Sequence, residues 1–590
     1  MFSAKLMINN EAVDADDGAT FERIDPLTGD VATIASAGSP ADMARAANAA
    51  AAAFPDWSQT GPGERRRLLN AAADILEARA PELIEAMTGE TGATTQWAAI
   101  NCGLGADIFR EAAAMTTQIA GELIPSGIPG SMAMAVRQPA GVCVGIAPWN
   151  APIILGTRAV AMPLACANTV VLKASELCPK THGLIGDVLR DAGFPRGVVN
   201  VVSNAPGDAA AVVDALIAHP AVRRINFTGS TRVGRIIAEA SARHLKRCLL
   251  ELGGKAPFIV LADADIDEAV SAAAFGAFMN QGQICMSTER IILMDEIADG
   301  FVGKFRSKAA TLIAGNPKDG NTPLGTLINA EAVRRVRSLI DDALQKGAVL
   351  VCGGEAHGTL MDATVIDHVT PAMRIYREES FGPVAAIIRV GSVDEAVTVA
   401  NDNEYGLSAA VFGGDVNSAL AVAMRLESGI CHINEATVSD EPQMPFGGVK
   451  SSGYGRFGGK AAIDEFTELR WVTIASGKHQ YPDLKPDRPE MNRKRAGGPH
   501  QEGEQFHEQD IQHGVSHAPL FHRIGRRRQR GARAVRPHGL RRERRHAEGR
   551  LHQPTHRPAR RLRRNGRLCA RSRTQGAGER PAGRRQDLEG

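Results

Sequence analysis

The stretch Arg224-Ile225-Asn226-Phe227-Thr228-Gly229-Ser230-Thr231-Arg232-Val233-Gly234 decides the fold. Arg224–Thr228 reads as a buried strand, and the run from Val233 to Ala242 as an amphipathic helix. The glycines between them make a strand-to-helix turn in which backbone can approach a phosphate, at the helix end that favours an anion. The spacing is Gly-x-x-x-x-Gly, not the Gly-x-Gly-x-x-Gly of ordinary dinucleotide folds, and no Lys-Ser/Thr follows as in a triphosphate loop. Taken alone, an ordinary strand-to-helix turn is the plainer reading.

The same alternation extends in both directions. Strands are expected at Val142–Ala147, Thr169–Lys173, Val198–Val202, Ala256–Leu261, Arg290–Met294 and Val384–Val390. Helices are expected at Pro40–Ala53, Gly63–Met87, Ile154–Ala165, Cys178–Gly193, Gly207–His219 and Asp265–Asn280. Strands and helices taking turns imply α/β architecture, with parallel sheets covered by helices on both faces.

With 590 residues the chain exceeds what one hydrophobic core serves, so at least two domains are expected. No run approaches the roughly 20 apolar residues of a membrane span, and Met1–Lys5 does not open a signal sequence. A cytoplasmic location is the expectation. The nine cysteines form no Cys-x-x-Cys pair and are odd in number, which argues against a disulfide framework and against a bound metal.

The near-neutral net charge hides two halves. Residues 1–484 hold about 40 basic and 55 acidic side chains, and 485–590 about 28 and 11. Beyond Pro482 hydrophobic periodicity gives way to Arg, His, Gly, Gln and Pro, a composition expected to stay disordered. It favours out-of-frame or read-through translation of GC-rich DNA over another appendage, and a nucleic-acid-binding arm comes last.

Three further segments carry chemistry. In Gln281-Gly282-Gln283-Ile284-Cys285, a cysteine after a helix and a glycine turn can be partly exposed with N–H groups aimed at its sulfur, the setting of a nucleophile. A packed apolar cysteine is the plainer reading of that residue by itself. Glu251-Leu252-Gly253-Gly254-Lys255 puts a carboxylate at a strand end, where it can serve as general base or merely sit in a surface ion pair. Pro148-Trp149-Asn150 ends the strand before it, and its asparagine can donate to an oxyanion or cap a helix.

Together, and in this order, these segments resemble the aldehyde dehydrogenase superfamily. The resemblance spans about Leu6 to Trp471 and includes Asp25-Pro26-Leu27-Thr28-Gly29, Lys173-Ala174-Ser175-Glu176, Glu378-Glu379-Ser380-Phe381-Gly382-Pro383 and Pro445-Phe446-Gly447-Gly448-Val449-Lys450. It implies Cys285 as thiolate nucleophile and Asn150, with the Cys285 N–H, as oxyanion donors. Glu251 is implied as the base for thioester hydrolysis. Pro148, Trp149, Lys173, Glu176, Gly229, Ser230, Gly234, Leu252, Glu379 and Phe381 are implied at the cofactor. An acidic Glu176 by the ribose favours NAD, with NADP as second candidate.

The fold implied is a Rossmann-type cofactor domain (1–120 and 141–252), an α/β catalytic domain (253–455) and an oligomerisation element (121–140 with 466–475). A homodimer or homotetramer follows from that element. Asn204–Asp208, Ala242–Lys246, Gln283–Arg290 and Ser428–Asn434 are similar to the salicylaldehyde and vanillin dehydrogenase branch. An aromatic substrate needs a flat apolar slot, for which Trp97 and Ile284 are candidate walls and Arg158 a candidate partner of a phenolic oxygen. Trp97 as core and Arg158 as a structural ion pair are the competing readings. An aliphatic or semialdehyde substrate is the alternative; a CoA-acylating relative usually lacks the glutamate found at position 251.

Overall fold

Strands with no polar face must be covered on both sides, and this requirement organises the molecule. The computed structural model describes residues 1–479 and 481. Val142–Ile146 and Thr169–Lys173 are buried at every position, and they lie side by side with Cys143 opposite Val170 and Val144 opposite Val171. They form the centre of an eight-stranded sheet. Val222–Thr228 and then Arg247–Glu251 extend it on one side, and Val199–Val202 on the other, all parallel. Antiparallel strands close both edges: Leu6–Ile8 with Glu11–Val13, and Gly453–Tyr454, whose Tyr454 stands opposite Leu250.

A seven-stranded sheet follows, in the order Val349–Cys352, Thr364–Asp367, Val384–Val390, Thr288–Met294, Ala256–Val260, Ala410–Phe412 and His432–Ile433. It is parallel except for its first strand. A third sheet pairs Ser131–Pro139 with Thr467–Ala475 over nine residues and with Glu122–Ile124. Two sheets with helices packed against parallel strands meet the α/β expectation.

Several boundaries differ from the sequence reading, each for a physical reason. Gly63–Met87 is two helices, Pro62–Ala78 and Ala80–Thr91, broken at Arg79. Pro81 has no N–H to give and its ring crowds the carbonyl four residues back. The helix expected to end at Ala53 continues to Ser58 despite Pro55, because Trp57 is buried and its indole N–H donates to the Asn168 carbonyl at 2.9 Å. The helix expected to reach Asn280 stops at Phe278, and Asn280 and Gln281 turn left-handed, with φ of 50° and 56°.

All eight cysteines among the described residues are free. Among those residues no helix is long and apolar enough to cross a membrane. The basic tail lies outside the described residues.

Candidate active site

Parallel strands deliver their C-terminal ends to one side of a sheet, and loops there collect functional side chains. The ends of Val142–Ile146, Val222–Thr228 and Arg247–Glu251 border one cavity of about 460 Å³. Pro148, Trp149, Asn150, Gly229, Ser230, Glu251, Cys285, Glu379 and Phe381 all line it, so nine residues singled out in the sequence share one wall.

Cys285 sits in a turn whose shape comes from its neighbours. The Gln281 and Gln283 side-chain amides both donate to the Thr326 carbonyl, at 3.0 and 3.3 Å. Their own oxygens accept the Gly325 and Ile328 N–H groups at 2.9 and 3.0 Å. These four bonds hold the left-handed turn against its strain. Burial and the nearby Glu251 push the Cys285 thiol well above its ordinary range.

Glu251 is 1 % exposed, and among the described residues neither carboxylate oxygen has a hydrogen-bond partner. The Cys285 thiol is close enough to perturb its titration without a well-formed bond between them. Desolvation raises the Glu251 carboxyl to about 8. A buried carboxyl without partners is costly to ionise, which makes it a proton acceptor near neutral pH.

Asn150 is 6 % exposed. Its Nδ2 donates to the Gln283 carbonyl at 3.0 Å, and its backbone carbonyl accepts from Trp97 Nε1 and Asn280 Nδ2, both at 3.0 Å. The amide is therefore tied to the cysteine turn while the backbone that carries it is pinned by two side chains. Trp97 lies outside the cavity lining and braces Asn150 through its indole N–H. Ile284 is buried in the same apolar cluster as Trp97, and Cys285, Ile430 and Val438 lie at that cluster's edge.

Glu379 accepts the Gly254 N–H at 2.9 Å, and burial beside Glu289 raises its carboxyl to about 7. Phe381, at φ 46°, meets Trp149 edge to face with centroids 5.8 Å apart. Ser230 caps the helix Thr231–Arg243 by accepting the Val233 N–H at 3.4 Å.

Some expected residues stand elsewhere. Gly234 and Leu252 pack on each other, with no room for a Cβ on the glycine: the nearest Leu252 carbon would be 2.4 Å away. Neither lines the cavity, because helix-to-strand packing takes both. Lys173 and Glu176 also lie outside its lining and pair with each other at 3.1 Å. Arg158 is engaged by Asp440, its Nη2 donating to both carboxylate oxygens at 2.7 and 2.8 Å.

Sequence reasoning overlooked Lys255 as a site residue, together with its buried partner Glu289. Glu289 also accepts the Ser380 and Phe381 N–H groups, so this pair anchors the loop that carries Glu379 and Phe381. The available signal was a charge inside the fully buried strand Thr288–Met294, which demands a partner. Arg335, donating to the Glu379 carbonyl at 2.9 Å, left no such sign. Among the described residues no group of three or more His, Cys, Asp or Glu is placed to hold a metal ion.

Comparison with known proteins bears on this arrangement. Residues 12–472 match the model of the aldehyde dehydrogenase family. The vanillin dehydrogenase of Pseudomonas fluorescens is 59% identical over 482 residues, 82% of this chain and 100% of that protein. A salicylaldehyde dehydrogenase of Pseudomonas sp. (strain C18) is 52% identical over 479 residues, 81% of this chain and 99% of that one. The crystal structure of a salicylaldehyde dehydrogenase from Pseudomonas putida G7, complexed with salicylaldehyde, superposes with a TM-score of 0.81 at 50% identity. It covers 82% of this chain and 100% of its own.

Proposed function

Because this chain belongs to the aldehyde dehydrogenase family, we propose that it oxidises an aromatic aldehyde of the salicylaldehyde or vanillin type to its carboxylic acid. The oxidant is NAD, and the acyl group is held in transit as a thioester on Cys285. The observation that carries this reading is Glu251, a buried carboxyl in the same cavity as the Cys285 thiol and without a hydrogen-bond partner among the described residues. A structural glutamate would be paired; a general base must be kept free.

A nicotinamide dinucleotide fits the remaining walls. Trp149 and Phe381 offer apolar surface, Glu379 a carboxylate for a ribose hydroxyl, and Gly229 and Ser230 the start of a thirteen-residue helix for the pyrophosphate. Lys173 and Glu176 are assigned to the adenosine ribose. Glu176 disfavours a 2′-phosphate there, while its ion pair with Lys173 leaves NADP as a weaker cofactor. When bound, the nicotinamide accepts the hydride that the aldehyde carbon releases.

The protein's own groups supply the rest. The Cys285 thiol gives its proton to Glu251 as its sulfur bonds to the carbonyl carbon. The oxygen, now an anion, accepts from the Asn150 amide and the Cys285 backbone N–H. After oxidation Glu251 sheds that proton to solvent and takes one from a water whose oxygen attacks the thioester. The carbon–sulfur bond breaks, the leaving sulfur takes the proton from Glu251, the acid leaves, and the Cys285 thiol and Glu251 carboxylate are restored.

We assign the cofactor role to residues 1–120 and 141–252, the catalytic role to 253–455, and oligomerisation to 121–140 with 466–475. Leu123, Met132, Leu469, Trp471 and Ile474 expose apolar surface on that last sheet, which suits burial against a second copy in a homodimer or homotetramer.

Initial rates of NADH formation with salicylaldehyde, vanillin, benzaldehyde and succinic semialdehyde test the reading. Aromatic aldehydes should be the better substrates. Glu251→Gln, which lacks the acceptor for both the thiol's and the water's proton, should form NADH slowly, at most about one per site, and accumulate any acyl adduct on Cys285, visible by mass. Wild-type turnover by that variant, or no NADH from any aromatic aldehyde, overturns it.

A further inference from the structure

A second cavity measures about 340 Å³, is lined by Ile430, Asp440 and Phe446 among others, and shares no residue with the walls of the first. Ile430 and Cys285 border the same apolar cluster, which includes Ile284 and Phe446. Arg158 lies near enough to Cys285 and Glu251, and Asp440 to Glu251, for their charges to be felt there, so the Asp440 wall of this cavity stands on the Arg158 side of the nucleophile.

A cation is buried at that side. Arg158 is on the helix Pro152–Ala165, which begins two residues after Asn150, and its guanidinium lies 4.5 Å from the Phe446 ring centroid. Arginine beside a substrate cavity ordinarily recruits a carboxylate. Here that position is taken: both oxygens of Asp440 accept from Arg158, and the two side chains are 6 % and 12 % exposed. Glu435 and Glu441 line the same cavity and add negative charge at it.

We propose that Asp440 masks Arg158 and so makes the site reject aldehydes that carry a carboxylate. Asp440 occupies the place such a substrate's carboxylate would take on the guanidinium. It is a positioning residue, acting through Arg158, and it selects for uncharged rings. The same pair lets a buried arginine stand behind the Asp440 wall of this cavity without leaving an unpaired charge.

The inference rests on the functional reading above, and the test separates the two. Wild-type oxidation of benzaldehyde probes the function. The masking is probed by a ratio: kcat/KM for 4-formylbenzoate or succinic semialdehyde, divided by kcat/KM for benzaldehyde. Asp440→Asn keeps the shape and removes the charge, and it should raise the ratio at least tenfold for one of the two anions, mainly through KM. Asp440→Glu should keep the wild-type ratio, and adding Arg158→Met to Asp440→Asn should abolish the gain. Asp440→Ser serves if the asparagine variant does not fold. A folded Asp440→Asn or Asp440→Ser enzyme whose ratio is unchanged for both anions overturns the proposal.

Discussion

Gly254 and Cys285 approach so closely that a Cβ on the glycine would lie 2.2 Å from the cysteine's carbonyl oxygen. The glycine's N–H is also the donor to Glu379 at 2.9 Å. One residue without a side chain thus sets the spacing between the proposed nucleophile's turn and the proposed cofactor carboxylate. Gly254→Ala must displace the Cys285 turn. Overpacking of this kind costs about 1–3 kcal/mol of stability, and a shift near 1 Å at a reacting atom costs about 100-fold in rate. We expect kcat to fall by that order with far-UV circular dichroism retained; steady-state kinetics beside thermal melts will check it.

Trp97→Phe removes one of the two hydrogen bonds on the Asn150 carbonyl and keeps most of the ring. Asn280 still donates there, so the loss should be partial. Expect a destabilisation of about 1 kcal/mol, a several-fold drop in kcat and little change in KM. A larger effect on KM than on kcat would place Trp97 against the substrate instead.

Glu251 couples pH to both turnover and stability. With the carboxyl raised to about 8, the base form accumulates as pH approaches that value, and kcat should rise with it. Stability runs the other way. The folded carboxyl holds its proton above the ordinary value of 4.5, so its contribution is whole below that range and is lost as pH rises through about 8. Each pH unit in that window costs about 1.4 kcal/mol at most. Glu251→Gln has no charge to bury, so its melting temperature should overtake that of the wild type as pH increases. Melts from pH 4 to about 9 measure this.

Glu176→Gln should loosen the preference for NAD. Removing the carboxylate leaves Lys173 without its 3.1 Å partner, free to meet a 2′-phosphate. A rise of about tenfold in kcat/KM for NADP relative to NAD is expected, the worth of roughly 1.4 kcal/mol of electrostatic change. No change in that ratio would move the adenosine ribose away from Glu176.

Trp471 is 79 % exposed on the strand Thr467–Ala475, an edge of its three-stranded sheet among the described residues. Trp471→Glu should not disturb the monomer's core. It should shift the assembled form toward smaller species in analytical ultracentrifugation at micromolar concentration. An unchanged sedimentation profile would remove this sheet from the interface.

Much of the site was readable in one dimension because its residues sit at strand ends and in the turns after strands or helices, where local pattern and chemistry coincide. Cys285, Glu251, Asn150 and the Gly229-Ser230 turn were all of this kind, and one cavity joins them. Gly234 and Leu252 belong to the same motifs yet pack on each other, because a motif does not say which of its residues faces outward. The break at Arg79 was marked by Pro81; the continuation to Ser58 was not marked at all, since it depends on a hydrogen bond from Trp57 to a carbonyl 111 residues away.

What the sequence by itself determined is the alternation of strand and helix, which follows from local periodicity, and, through the family resemblance, the candidate reacting groups and their order along the chain. Only the tertiary structure decided which charges meet: Lys255 with Glu289, Arg158 with Asp440, and Glu251 with no cation or hydrogen-bond donor bound to it among the described residues. Partners so far apart in sequence, at positions 158 and 440 for instance, are chosen by the three-dimensional closing of the chain. Burial then fixes the energetic consequence, because a charge removed from water is governed by whatever single neighbour it is given.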